Sequence, residues 1–171
     1  MTDHARIKET FDQGVSWFKK GDFGSSICDL SATIKLNPEY ELAYLTRGVA
    51  YMKTERINLA IDDFSKAIEL NPENRRAYHL RGLAHSALGD YDRAISDFDK
   101  AVELDPEYAA AYLSRANVHM ASGHGEQADD DMEMVARLSE KNTQTFAKIH
   151  NVWRSKHLSL EAEGIVGEIE R

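Results

Sequence analysis

The sequence predicts an all-α solenoid, a stack of about four antiparallel helical hairpins followed by a closing helix. Three observations point there. Asn37-Pro38-Glu39, Asn71-Pro72-Glu73 and Asp105-Pro106-Glu107 recur at intervals of 34 residues. Sliding the chain by that interval stacks small residues on small ones (Gly14, Gly48, Gly82, Ala116, and Ser26, Ala60, Ala94, Ala128) and rings on rings (Trp17, Tyr51, His85, His119). Within each period, apolar residues return at three- and four-residue spacing, as in a helix with one buried stripe. A lone hairpin cannot bury that stripe, so successive units must stack.

Residues 1–6 are a lead-in to the first unit, 7–40. Gly21-Asp22 supplies its turn, and Pro38 ends its second helix, which carries Ser26 and Thr33 where other units place small apolar residues. The second unit, 41–74, carries the pattern Gly48, Tyr51, Ala60, Phe64, Ala67. In the third, 75–108, Gly89-Asp90 forms the turn, and Tyr91, Ala94, Ile95, Phe98, Ala101 and Val102 share one helical stripe. Pro106 stops that helix, because proline holds its predecessor extended and donates no hydrogen bond. Gly82 is expected against Ala94 at the closest approach of the two helices.

The fourth unit, 109–142, departs from the pattern: Gly125 replaces Phe23, Ile57 and Tyr91, Asp129 replaces Ile27, Ile61 and Ile95, and Glu140 replaces proline. Such weakening is expected of an end unit with one neighbour missing. Residues 143–157 read as a capping helix, with Phe146, Ile149 and Trp153 on one face. Residues 158–171 interleave Leu160, Ile165, Val166 and Ile169 with Glu161, Glu163, Glu168 and Glu170. They read as an acidic amphipathic tail or a second capping helix, although Gly164 and Gly167 each cost about 1 kcal/mol of helix propensity.

A net charge of -8 over 171 residues excludes the concentrated basic surface of a nucleic-acid binder. No stretch is long and apolar enough for a membrane span, and no apolar run opens the chain, so a cytoplasmic protein is expected. The single cysteine, Cys28, has no basic neighbour in sequence to activate it. The seven histidines form no metal-binding spacing. His85 and His119 are expected as packed core rings, and Asp129-Asp130-Asp131 as a solvated acidic face. No catalytic group, cofactor or metal is therefore expected.

Period, small and aromatic columns and unit-ending prolines together resemble the tetratricopeptide repeat family over residues 7–142. The resemblance implies a right-handed superhelix and a non-catalytic adaptor or scaffold, with the first helices lining a concave, partner-binding groove. Its groove columns fall on Lys8, Phe11, Asp12, Val15, Phe18 and Lys19 in the first unit. In the second they fall on Leu42, Leu45, Thr46, Val49, Met52 and Lys53. The third contributes Arg76, His79, Leu80, Leu83 and Ser86, and the fourth Leu113, Ser114, Asn117 and Met120. Internal packing between neighbouring first helices is the competing role for these side chains. Some relatives clamp the acidic C-terminus of a chaperone; here the matching positions are Phe11, Val15, Thr46, Arg76 and Leu80, of which Arg76 alone fits. So apolar a groove suits an apolar or amphipathic segment of a partner protein, with self-association through residues 158–171 as a further possibility. The alternative function is an accessory or regulatory piece of an enzyme system. Finally, Arg47, Arg81 and Arg115 occupy a column that is usually apolar in the family, and Asp29, Asp63, Asp97 and Asp131 another. This predicts an Arg–Asp ladder, either within each hairpin (Arg47 with Asp63) or between hairpins (Arg47 with Asp29).

Overall fold

The computed structural model describes residues 3–144. They form four helical hairpins: α1 (Asp3–Lys20) with α2 (Phe23–Leu36), α3 (Glu41–Lys53) with α4 (Ile57–Leu70), α5 (Arg75–Ala87) with α6 (Tyr91–Leu104), and α7 (Ala109–Ala121) with α8 (residues 125–144). Each second helix also packs on the first helix of the next unit. Of the capping helix expected at 143–157, only residues 143 and 144 are described, as part of α8, and the expected tail, 158–171, lies outside the described residues.

The turns follow from local chemistry. Within three hairpins the chain reverses through a glycine in the left-handed region, Gly21 (φ 80°), Gly89 (φ 75°) and Gly123 (φ 82°). In the second hairpin the same column holds Glu55 at φ 61°, where a Cβ is unfavourable. Asp22 and Asp90 then cap α2 and α6 by accepting from the backbone N–H of Ser25 and Arg93. Between hairpins, the side chains of Asn37, Asn71 and Asp105 each accept from the N–H two residues on, across the proline. Glu140 stands where that proline would fall in the fourth unit, and α8 runs unbroken past it to residue 144.

The core is built on alanine and phenylalanine. Ala60, Phe64, Ala67, Ala94, Phe98 and Ala101 are fully buried. The expected pairing of Gly82 with Ala94 is corrected by the structure: Gly82 faces the Phe98 ring, and an added Cβ would come within 2.7 Å of it. Gly48 meets Phe64 in the same way, at 2.6 Å. The ring needs the absent side chain for room, whereas Ala94 packs with Phe98 and Val118 toward the fourth hairpin. A repeat period aligns columns but does not say which column faces which. His85 is buried as expected, but His119 is only half-buried. The acidic run is split: Asp129 and Asp130 are exposed, while Asp131 is 4% exposed and paired.

The Arg–Asp ladder forms within hairpins. Arg47 grips Asp63 through two parallel hydrogen bonds of 2.9 and 2.7 Å, Arg81 grips Asp97 at 2.9 and 2.7 Å, and Arg115 grips Asp131 at 2.9 and 2.6 Å. Two-pronged, charge-assisted contacts of this kind are among the strong ones. Burial pushes the Asp63 carboxyl up, against the fork of Arg47 that holds it down. The remaining guanidinium nitrogen reaches the preceding hairpin, where it donates to Ser31 (2.9 Å), Ser65 (3.2 Å) or Asp99 (2.5 Å). Each arginine therefore ties two units together. A second set of ties joins the helix starts to the inter-hairpin turns, with Glu41 accepting from Asn71 and Asn74, and Arg75 pairing with Asp105 at 3.0 Å.

Candidate peptide-binding groove

The first helices touch one another in series, α1 with α3, α3 with α5 and α5 with α7, whereas the second helices α2, α4 and α6 do not touch one another. Crowding on one side and splaying on the other curves the stack, and the crowded first helices occupy the inside of the bend.

One cleft opens across three of these helices. Phe18 of α1, Leu42, Leu45, Thr46 and Val49 of α3, and Arg76 and Leu80 of α5 enclose about 120 Å³. Five of its seven lining residues are apolar. Leu45 forms the floor at 6% exposed, while Leu42 stands at the wall, 52% exposed. Arg76 is exposed at the rim. Lys19 and Lys53 share one column at the ends of α1 and α3, and both are exposed.

The other predicted groove residues divide into three groups. Val15, Met52 and Leu83 are half-buried, Met52 and Leu83 as flanks of the two core clusters. Phe11 is held edge-on against Tyr40, ring centres 5.0 Å apart, and His79 bridges Ser114 (2.9 Å) and the Tyr108 hydroxyl (3.0 Å). Leu113 (43%), Met120 (64%) and Asn117 are exposed on α7, away from the cleft, and Lys8 lies by a separate shallow depression with Glu9 and Asp12. The structure thus brings Phe18, Leu42, Leu45, Thr46, Val49, Arg76 and Leu80 together and leaves the other predicted groove residues outside that cleft.

The His79 bridge was not foreseen, although its signal was present: Tyr40 and Tyr108 lie 68 residues apart, two periods, in one column. Burial, with a smaller contribution from the Arg76 charge, holds the His79 imidazole below its usual range, so the ring is neutral. A neutral ring offers one donor and one acceptor, which suits two hydroxyl partners. Burial likewise raises the Tyr108 phenol.

Among the described residues no three His, Cys, Asp or Glu side chains are grouped to hold a metal ion. Nor is any described helix long and apolar enough to cross a membrane.

No curated protein sequence matches the chain. Among solved structures, a crystal structure of MamA shares its fold with a TM-score of 0.78 at 24% identity, over 81% of each chain. The first tetratricopeptide domain of Spaghetti (RPAP3), bound to the HSP90 peptide SRMEEVD, matches at 0.67 and 24% identity over 70% of this chain and 94% of that one. The second such domain of human RPAP3, in complex with the HSP70 peptide SGPTIEEVD, matches at 0.66 and 26% over 68% and 98%. Residues 42–74 and 76–108 each match the sequence profile described as "Tetratricopeptide repeat". The two central hairpins are thus tetratricopeptide repeats, and the chain shares the fold of the MamA structure over 81% of its length.

Proposed function

We propose that this protein is a non-catalytic adaptor whose inner surface captures a partner segment combining apolar and acidic side chains, seated on the cleft between α1, α3 and α5. The observation that carries this reading is the composition of the cleft: an apolar bed of Phe18, Leu42, Leu45, Val49 and Leu80 with Arg76 at its edge. Lys19 and Lys53, exposed at the C-terminal ends of α1 and α3, add positive charge to the first helices, on a chain whose net charge is -8. None of the three cations is in an ion pair among the described residues. An apolar bed supplies affinity through desolvation, and unpaired rim cations select sign and speed association. The two RPAP3 domains, with their bound SRMEEVD and SGPTIEEVD peptides, support an acidic ligand in this kind of groove. Here Phe11, Val15 and Leu80 replace polar clamp positions, so apolar side chains carry more of the contact.

The test is fluorescence anisotropy with two labelled peptides of identical apolar residues, one interspersed with Glu and the other with Lys. The Glu peptide is expected to bind at least tenfold more tightly, and Arg76→Glu to abolish that preference. Equal binding of the two peptides, or a preference unchanged by Arg76→Glu, refutes the proposal.

A further inference from the structure

The chain carries a segment with the composition the cleft calls for. Residues 158–171 hold Leu160, Ile165, Val166 and Ile169 among four glutamates, with Arg171 as their only cation. The cleft presents the complement, an apolar floor with Arg76 at its edge, and Lys19 and Lys53 are exposed at the ends of α1 and α3. The two also sit at opposite ends of the array. The cleft belongs to the first three hairpins, whereas the described chain leaves from α8 in the fourth. We propose that residues 158–171 of one copy occupy the cleft of a second copy. This inference rests on the groove reading above and names its partner.

Such a contact is heterologous, because the donating and receiving surfaces differ. Every copy then has one of each to offer, so association either closes as a reciprocal dimer or a larger ring or runs on as an open chain. The charged rim makes it sensitive to salt, since screening shortens to about 3 Å at 1 M ionic strength. The apolar floor retains a salt-independent part.

The experiment uses the full chain in two variants. Arg76→Glu disables the cleft, and a Glu161→Lys, Glu163→Lys, Glu168→Lys, Glu170→Lys variant disables the tail. Arg76 is exposed and the tail is not part of the four hairpins, so circular dichroism and thermal midpoints close to wild type confirm that both variants fold. By light scattering coupled to gel filtration, the wild type is expected to form concentration-dependent species above the monomer. Each variant alone should be monomeric. Mixed in equal amounts, the two should associate again, because the intact tail of one meets the Arg76 cleft of the other. A wild type that stays monomeric at high micromolar concentration overturns the inference, as does a mixture that stays monomeric while the wild type associates. If the inference fails in either way but the Glu peptide still binds in an Arg76-dependent manner, the groove reading stands and only the named partner falls.

Discussion

Replacing Arg81 by leucine removes both prongs of the grip on Asp97 and strands a carboxylate whose side chain is 7% exposed. His85 then remains 4.0 Å away, but burial holds that imidazole down, so it is a poor substitute cation at neutral pH. Breaking one side of a buried pair costs about 3–5 kcal/mol. The arginine side chain is 24% exposed, and water reaching the site brings the expectation to roughly 3 kcal/mol. The converse change, Asp97→Leu, leaves Arg81 with Ser65 at 3.2 Å and a solvent-facing edge, and is expected to cost about 2 kcal/mol. The double variant strands neither charge. Both positions become apolar beside a core of alanines and Phe98, and the loss should shrink to about 1 kcal/mol. The cycle therefore predicts a coupling of roughly 4 kcal/mol, read from urea midpoints of the four proteins at constant slope. A coupling below about 0.5 kcal/mol would show that the fork, however well aligned, contributes no more than a solvated surface pair.

Three further outcomes follow from particular side chains. Ser26 is fully buried and its hydroxyl has no partner among the described residues, in a column otherwise held by Ala60, Ala94 and Ala128; Ser26→Ala should raise stability by about 1 kcal/mol, visible as a higher urea midpoint. Glu55 occupies the left-handed turn position that glycine holds in the other hairpins, so Glu55→Gly should stabilise by roughly 0.5–1 kcal/mol despite the added freedom of the unfolded chain, and a loss would place the strain elsewhere. His79 is held below the histidine range by burial, so its folded form refuses a proton that the unfolded chain accepts below pH about 6.5. Its share of stability is full above that pH and is lost as the pH falls toward the folded value. His79→Gln should therefore flatten the decline in urea midpoint between pH 7 and pH 5, and identical slopes would remove His79 from the acid response.

Much of the fold was legible because each unit repeats its own instructions. Pro38, Pro72 and Pro106 mark the ends, Gly21, Gly89 and Gly123 the turns, and the alanine and phenylalanine columns the buried stripe. The Arg–Asp ladder was legible too, but not its direction: Asp63 lies 16 residues from Arg47 and Asp29 18, so spacing alone left both pairings open. What the period could not convey was the rotation of one helix against another. That rotation sets Gly82 against Phe98 instead of Ala94. Curvature was hidden for the same reason. All the groove columns look equivalent in sequence, yet the bend gathers Phe18, Leu45, Val49, Arg76 and Leu80 into one cleft and leaves Leu113 and Met120 outside it. His79 was obscured by its column, where Phe11 and Leu45 suggest an apolar contact and the polar partners come from a turn and a helix 29 and 35 residues away.

The reach of each ladder arginine has a consequence for how such a chain can change length. Arg81 finds its carboxylate 16 residues ahead and its serine 16 residues behind, and Arg47 and Arg115 keep the same offsets. Both offsets fit inside one period. Excising residues 75–108 would bring Arg115 opposite Ser65, a hydroxyl where it now meets Asp99, with Asp131 still in its fork. Duplicating the same block would recreate a matched donor and acceptor at each new seam. The polar joints are therefore interchangeable at whole-unit boundaries, and an array assembled this way can gain or lose a hairpin in a single genetic step without leaving a buried charge stranded.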